Sequence, residues 1–291
     1  MNILLSAQLA GWLLVILGLT QIIPILAALY FDEPVVPFLV AGVIALLLGL
    51  PAALGIRPEN MRIRPRDGFS IVTGAWLLAS LFGALPYLTT GALAPVDALF
   101  ESVAGFTTTG STVMTQIEAM PRSLLLWRAL TQWIGGMGIV VFTIALMPIL
   151  GIGGMQLFKA EVPGPVTEKI RPRVAETARR LWFIYVGLTV IEGFLLWMAG
   201  LGVFDALCHS LTTMSTGGFS TRSASVGGFG LAAVEWIVIV FMLIAGINFL
   251  VHYRILLGRF RAVIQDRELR YFLSVTTLAI GAVTLWLLNQ P

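Results

Sequence analysis

Long apolar runs separated by short polar stretches dominate this sequence. An apolar run of about 20 residues crosses a bilayer as a helix. Seven runs are long enough, namely 8–31, 35–56, 69–90, 123–150, 181–201, 232–257 and 271–288. The first is too long, and too soon followed by another, for a cleaved signal peptide. The pattern therefore predicts an all-α polytopic membrane protein with about seven transmembrane spans.

Charge patterning predicts how these spans are oriented. With 15 Asp and Glu and 18 Lys and Arg in 291 residues, and a mean hydropathy of +0.93, an ordinary soluble domain is excluded. Fifteen of the basic residues lie in three connections: Arg57, Arg62, Arg64 and Arg66; Lys159, Lys169, Arg171, Arg173, Arg179 and Arg180; Arg254, Arg259, Arg261, Arg267 and Arg270. Because basic connections stay in the cytoplasm, we expect a cytoplasmic N-terminus, with Asp32 and Glu33 outside. These residues are interpreted as topology determinants and not as a nucleic-acid site.

Two of the outside connections repeat one motif 108 residues apart. The stretches "VDALFESVAGFTTTGSTV" (96–113) and "FDALCHSLTTMSTGGFST" (204–221) align without a gap. The repeated unit is a span, a short apolar segment, a Thr/Gly loop and a second span. Asp97 and Asp205 are predicted to cap short helices, which at about ten residues reach ~15 Å, roughly half the hydrocarbon thickness. Each segment is therefore predicted to enter the membrane as a re-entrant half-helix and turn back.

The Thr/Gly loops are predicted to hold a cation. Irregular backbone at membrane depth is tolerated only inside protein or along a wet cavity, and glycines let successive carbonyls point in one direction. Backbone carbonyls replace the hydration shell of K⁺ in selectivity filters, and the negative C-terminal end of a half-helix favours a cation. Plain outside loops are the alternative, and the gapless repeat favours the filter. The predicted K⁺ ligands are the backbone carbonyls of Thr108, Thr109, Gly110, Thr216, Gly217 and Gly218.

Several blocks in order resemble one known group of transporters. They are "FESVAGFTTTGSTV", "QWIGGMGIVVFTIALMPILGIGGMQLFKAEVPGP" (132–165), "KIRPRVAETARRLW" (169–182), "LTTMSTGGFST" and "GINFLVHYRILLGR" (246–259). They resemble the Trk/Ktr/HKT superfamily of potassium transporters, and most closely its TrkH-type potassium uptake subunits. The resemblance implies potassium uptake across the bacterial inner membrane, with K⁺ as the transported ion and no organic cofactor. It also implies a homodimer in membrane lipid with a cytoplasmic nucleotide-binding regulatory subunit (TrkA-like).

The resemblance also implies a domain organisation. That superfamily builds one pore from four repeated units, of which this sequence contains two and the start of a third. We expect two N-terminal helices and a basic loop, a first pore unit, a cytoplasmic linker, a second pore unit, and a second linker with the opening helix of an incomplete third unit. Their ranges are 1–68, 69–155, 156–180, 181–258 and 259–291. The expectation is a fragment, a truncated gene product, or one half of a split protein.

Glu192 leaves a second mechanism open. It lies near the middle of the fifth apolar run, where a charge is expensive and often functional. It is either the coupling site of a proton- or sodium-coupled cation carrier or a hydrogen-bonded structural carboxyl. No paired nucleophile and base and no metal-ligand spacing occur within the runs, so an enzyme is not expected.

Four other features receive structural interpretations. Glu101 and His209 occupy equivalent places in the two short segments and are expected to brace the loops. Arg128, near the outer end of the fourth run, is expected to extend its charge to the membrane surface. The glycines of "GGMG" (135–138) are expected to allow close helix packing.

Overall fold

The computed structural model of the protein describes residues 3–56, 65–150 and 167–289. Within these ranges every regular element is helical, which confirms the all-α prediction. Five of the described helical segments are long and apolar enough to cross a membrane, and one bent pair would make a sixth. The predicted cytoplasmic stretches 57–64 and 151–166, which carry Arg57, Arg62, Arg64 and Lys159, lie outside the described residues.

The N-terminal pair of spans packs closely. Helices α1 (Ile3–Thr20) and α2 (Ile22–Tyr30) together form the first span, and α3 (Val36–Gly55) the second. Glycine faces bring the two spans together: a Cβ on Gly11 would lie 2.5 Å from the backbone nitrogen of Ala53, and one on Gly49 would lie 2.9 Å from the Gly11 carbonyl oxygen. A side chain at either glycine would push the helices apart.

Two repeated units follow. The first contains α4 (Pro65–Gly83), α5 (Leu85–Thr89), the short α6 (Pro95–Phe106) and the long α7 (Arg122–Leu150). The second contains α8 (Thr167–Met198), the short α9 (Val203–Met214), α10 (Ala232–Gly246) and α11 (Phe249–Leu256). Helices α12 (Phe260–Ile264) and α13 (Arg267–Leu288) complete the described chain.

The sixth predicted span, 232–257, was expected to be one helix, but the structure divides it into two. Helices α10 and α11 bend by 96° at residues 247–248. At the break, a Cβ on Gly246 would lie 3.0 Å from the Phe272 ring of α13, and the Asn248 side chain accepts a hydrogen bond from the Leu250 backbone at 3.1 Å. The capping bond starts a new helix in a new direction, a signal that apolar periodicity does not carry.

The short helices α6 and α9 have 12 residues each, so each reaches about 18 Å and cannot cross a bilayer. The prediction that Asp97 and Asp205 cap them is wrong. The caps are Ala94 and Gly202, both extended, and Pro95 occupies the first helical position of α6. Both aspartates lie in the first turn, where a negative charge still favours the helix dipole.

The turn after the first span and the start of α7 lie on the same side of the protein. The Glu33 carboxylate accepts hydrogen bonds from the backbone N–H groups of Arg122 and Ser123 at 2.7 and 2.8 Å. This contact satisfies N–H groups that a helix start leaves free. It places the predicted outside residues 32–33 beside the exit of the first Thr/Gly loop.

Helix α7 is the centre of the core around the two loops. Leu124 and Trp127 are fully buried in its first turns, and the Trp127 indole donates to the Gly83 carbonyl oxygen at 3.0 Å. Helix α13, in contrast, has no buried residue in the described structure.

Candidate functional site

The two Thr/Gly loops, residues 107–113 and 215–221, have matching backbones. The φ angles of Thr108 and Thr216 are 54° and 57°, and those of Gly110 and Gly218 are 74° and 78°. The residue between each pair, Thr109 or Gly217, does not have a positive φ. A change in the sign of φ at successive residues turns neighbouring carbonyls toward one side, whereas they alternate in a strand. A positive φ is unusual for a β-branched residue and typical of functional sites.

Matching hydrogen bonds hold these backbones against the short helices. In each loop two successive N–H groups donate to one carbonyl in the last turn of the helix, which satisfies an oxygen that a helix end leaves free. The donors are Thr109 and Gly110 to Ala104 at 3.0 and 3.4 Å, and Gly217 and Gly218 to Thr212 at 2.9 and 3.2 Å. The loops are therefore rigid continuations of α6 and α9.

The structure brings the two loops into direct contact. A Cβ placed on Gly110 would lie 2.0 Å from the Gly217 carbonyl oxygen. Gly110 thus lacks a side chain for two reasons, its positive φ and this contact. Gly218 has the positive φ but open space around it.

Gln132 of α7 lies between the loops. Its Oε1 accepts from the Phe219 backbone N–H at 3.1 Å, and a Cβ on Gly217 would lie 2.3 Å from its amide. The Gln132 Nε2 has no hydrogen-bond partner among the described residues. Sequence reasoning missed Gln132; an amide side chain within an apolar run was the available signal. The structure buries this side chain fully.

Glu101 and His209 brace equivalent hydroxyls, as predicted. The Thr112 hydroxyl donates to Glu101 Oε1 at 2.9 Å, and His209 Nε2 is hydrogen-bonded to the Ser220 hydroxyl at 3.0 Å. Each hydroxyl then accepts from the backbone N–H two residues later, at 3.1 Å in the first loop and 3.0 Å in the second. The two units thus keep a hydrogen bond from the short helix to an equivalent hydroxyl of the loop, made by a glutamate in the first unit and a histidine in the second.

Arg128 does not extend to the membrane surface, and that prediction is wrong. Its side chain is 2% exposed and its Nε donates to Glu101 Oε1 at 2.5 Å. The guanidinium also donates to the Ser220 carbonyl oxygen at 2.9 Å and lies 3.6 Å from the centre of the Phe219 ring. The anion, the carbonyl acceptor and the aromatic face that surround the guanidinium offset the cost of burying its charge. Arg128 therefore joins the support of the first loop to the backbone of the second.

The glycines of α7 act in packing. A Cβ on Gly135 would lie 1.9 Å from the Phe106 carbonyl oxygen, and one on Gly136 would lie 2.9 Å from the Ser215 Cα. Both contacts are with the C-terminal ends of the short helices. They let α7 approach α6 and α9 at membrane depth, in agreement with the expected packing role.

Glu192 of α8 is fully buried behind α9. Neither carboxylate oxygen makes a hydrogen bond of normal geometry among the described residues, although the Thr213 side chain interacts with the carboxyl. The adjacent Gly193 allows close approach, since a Cβ there would lie 3.1 Å from the Ser210 hydroxyl. The structure therefore does not show the regular hydrogen bonds expected of a structural carboxyl at Glu192.

The outer ends of the two loops are also connected. Glu118 accepts from the Ser223 backbone N–H at 2.8 Å and from its hydroxyl at 2.6 Å. The Ser223 hydroxyl, the Ser223 backbone N–H and the nearby Arg222 charge hold the pKa of the Glu118 carboxyl below its ordinary value.

The two loops offer neutral oxygen atoms as ligands for an ion. The loops contain threonine, serine and glycine and no acidic residue, and the Glu101 charge is paired with Arg128. No group of three or more His, Cys, Asp or Glu that could hold a metal ion occurs in the described part of the chain. Neutral carbonyls suit a monovalent ion that must bind and leave, whereas sites for divalent ions use carboxylates.

Comparison with known proteins gives consistent results. A family model described as the TrkH cation transport protein matches residues 37–290. The Trk system potassium uptake protein TrkH of Escherichia coli strain K12 is 42% identical over 97% of this chain and 60% of that protein. TrkH of Halomonas elongata is 42% identical over 100% of this chain and 62% of that protein.

A solved structure agrees with the sequence matches. The crystal structure of the potassium transporter TrkH from Vibrio parahaemolyticus superposes with a TM-score of 0.89 at 35% identity, covering 99% of this chain and 60% of that one. The resemblance to TrkH-type proteins is therefore confirmed. The chain spans about 60% of the length of these relatives.

Proposed function

Because this chain belongs to the TrkH family of cation transport proteins, we propose that it contributes two filter segments to a pore for potassium uptake. In this proposal the carbonyls of Thr108, Thr109 and Gly110 and those of the second loop, residues 216–218, coordinate dehydrated K⁺. Carbonyl oxygens replace water around the ion.

One observation carries the proposal: two loops 108 residues apart have the same alternation of φ and touch at Gly110 and Gly217. Plain outside loops would have no reason to share a strained threonine conformation or to pack against each other at the ends of half-helices. The C-terminal ends of α6 and α9 add partial negative charge near the loops, which favours a cation.

The surroundings of the loops support selectivity. Arg128, Gln132 and the tight contacts at Gly135 fix the backbone from behind. A ring of carbonyls discriminates among ions only if its oxygens keep their number and spacing. These polar contacts, buried in a low-dielectric environment, restrict such movement.

A chimera tests the proposal. Residues 1–291 would replace the matching part of the Escherichia coli relative, in a strain deficient in potassium uptake. We expect growth at low potassium and uptake of K⁺ in preference to Na⁺. A chimera that inserts in the membrane but moves no potassium would contradict the proposed function.

The proposal also includes the location of the protein and its partners. We place the protein in the bacterial inner membrane with a cytoplasmic N-terminus, as a homodimer with a nucleotide-binding regulatory subunit. The basic segment 169–180 is the proposed contact with that subunit. Reversing Arg171, Arg173 and Arg179 to Glu in the chimera should weaken its association with the regulator; unchanged association would remove this segment from the interface.

A proton-coupled carrier is the second candidate, and Glu192 favours it. A fully buried carboxyl without regular hydrogen bonds is the kind of group that binds and releases a proton inside a membrane protein. Under coupled transport, Glu192→Gln would abolish the dependence of potassium uptake on a pH gradient. Under channel-like conduction, uptake would not follow that gradient in either protein.

A further inference from the structure

The connection from α11 to α13, residues 256–270, exposes large apolar side chains beside arginines. Leu256, Phe260 and Ile264 are 72%, 60% and 71% exposed. Phe260 and Ile264 lie four residues apart in α12 and therefore share a helix face. In water, such a cluster would be unfavourable.

Most of the arginines in and next to this connection have no acidic partner among the described residues. Arg254 pairs with Asp266 at 2.7 Å. The remaining four are exposed and form no ion pair among the described residues: Arg259, Arg261, Arg267 and Arg270. The only other acidic residue of the segment, Glu268, is hydrogen-bonded to the Asn248 amide. The segment therefore presents a net positive surface.

The position of the segment decides what can cover this surface. It leads directly into α13, which is apolar enough to cross a membrane. The exposed apolar surface continues along that helix, where Tyr271 is 74% and Leu278 73% exposed. An aromatic residue at the end of a span is typical of the membrane interface. An apolar helix face flanked by arginines, next to the start of a span, is the pattern of a helix that lies in the membrane interface.

We propose that residues 256–270 bind anionic phospholipid headgroups of the cytoplasmic leaflet. In this arrangement Arg259, Arg261, Arg267 and Arg270 contact the phosphates, while the apolar face of α12 inserts below them. Arginine suits this role because its planar guanidinium forms two parallel hydrogen bonds with a phosphate. Double-stranded nucleic acid is disfavoured because its stacked bases leave little apolar surface for Phe260 and Ile264.

The expected effect can be estimated from general electrostatics. A basic residue near an anionic membrane surface strengthens binding by roughly fivefold. Removing four should therefore reduce the preference for anionic over zwitterionic lipid by more than tenfold, even if the contributions are only partly additive.

Lipid competition tests the proposal on the 291-residue chain. The purified protein is mixed with equal amounts of phosphatidylglycerol and phosphatidylcholine, and bound lipids are counted by native mass spectrometry. Wild type should prefer phosphatidylglycerol, the variant with all four arginines changed to Gln should lose that preference, and the variant with all four changed to Lys should keep most of it. The control Arg222→Gln removes an exposed arginine of the outer loop and should behave as wild type. Equal binding of both lipids by wild type, or an unchanged preference in the Gln variant, overturns the proposal.

Cysteine accessibility distinguishes lipid from a protein partner. Ile264→Cys and Gly227→Cys, an open position in the outer loop, are labelled with a water-soluble maleimide in permeabilised phosphatidylglycerol vesicles. The native Cys208 is buried and serves as the unlabelled background. We expect labelling at position 264 to be at least tenfold slower than at position 227. Equal rates would show that α12 stands in water and overturn the proposal in favour of a surface for a soluble partner.

Discussion

The guanidinium of Arg128 donates a hydrogen bond to the carbonyl oxygen of Ser220 across 2.9 Å, 92 residues away in the chain. The same side chain is paired with Glu101, whose carboxylate holds the Thr112 hydroxyl and the Val113 N–H of the first loop. One buried cation thus connects the supports of both Thr/Gly loops. A change in one loop can therefore reach the other through a short set of contacts.

Arg128→Gln should destabilise the protein by about 3–5 kcal/mol, because it leaves the buried Glu101 carboxylate without its charge partner. Thermal or denaturant unfolding of the purified chain measures this. Arg222→Gln, which removes an exposed arginine of the outer loop, should change stability by less than about 0.5 kcal/mol.

The double variant Glu101→Gln/Arg128→Gln should lose less stability than the two single variants together, since neither charge is then left alone. Strict additivity would indicate that the two residues act separately. In that case the ion pair would not couple Arg128 to the support of the first loop.

Side chains added to the loop glycines should reduce potassium selectivity in the chimera to different extents. Gly110→Ser meets the Gly217 backbone oxygen at 2.0 Å and requires a positive φ, so we expect a large loss. Gly218→Ser faces open space but keeps the strain of its φ, which predicts a smaller loss. Gly227→Ser, at an open position without a positive φ, is the control and should leave the ratio of K⁺ to Na⁺ uptake unchanged.

Gly217→Ala has a different obstacle, because its Cβ would lie 2.3 Å from the Gln132 side chain. Overpacking of this kind costs about 1–3 kcal/mol. Gln132→Ala should relieve the clash, so the double variant should be more stable than Gly217→Ala alone. If it is not, Gly217 is constrained by its backbone and not by Gln132.

Features encoded by contiguous residues could be predicted from the sequence, and features that depend on contacts between distant residues could not. Apolar runs and the gapless repeat are properties of contiguous residues, so the spans and the two half-helices were predictable. The positive φ of Thr108 and Thr216 was not, since isolated threonines disfavour it and only the surrounding contacts impose it.

Contacts between residues that are distant in the chain could not be predicted either, because no contiguous pattern encodes them. Arg128 was expected at the surface because its partners Glu101 and Ser220 are far from it in the chain. At the break between α10 and α11, Gly246 lies close to Phe272 of α13, a contact that the apolar pattern of 232–257 does not contain. Partners distant in the chain therefore explain the error at Arg128. The errors at the broken span and at Asp97 and Asp205 concern local helix caps, which apolar periodicity does not locate.

The link between the outer loops should weaken in acid. The pKa of Glu118 is lowered from its ordinary value of 4.5, so its contribution to stability is present above that pH and is lost as the pH falls through the lower, folded value. Unfolding of wild type and Glu118→Gln, compared at pH 7 and below 4.5, should give a difference that shrinks in acid. Glu235→Gln, which removes a carboxyl from the first turn of α10, is the control. A difference that grows in acid would contradict the role of the ionised Glu118–Ser223 contact.

The three basic connections predict the membrane orientation. A membrane-impermeant thiol reagent added from outside should label Asp32→Cys and spare Pro165→Cys, a position outside the described residues. The buried Cys208 should remain unlabelled in both. The reverse pattern of labelling would invert the proposed topology and remove the cytoplasmic assignment of the arginines at 254–270.

Residues 1–291 expressed alone should insert in the membrane and fail to restore growth of a potassium-uptake-deficient strain. The described chain supplies two Thr/Gly loops, the proposed filter segments, whereas a closed ring of carbonyls needs about four by analogy with potassium channels. Two copies pairing to complete the ring would have to accommodate the first two spans of each, and α13, which has no buried residue, would remain without a protein partner. The chimera with the Escherichia coli relative is the positive control, because it adds the part of that relative which this chain does not span. Potassium uptake by the purified 291-residue chain in liposomes would instead establish that two half-pores can close around the ion.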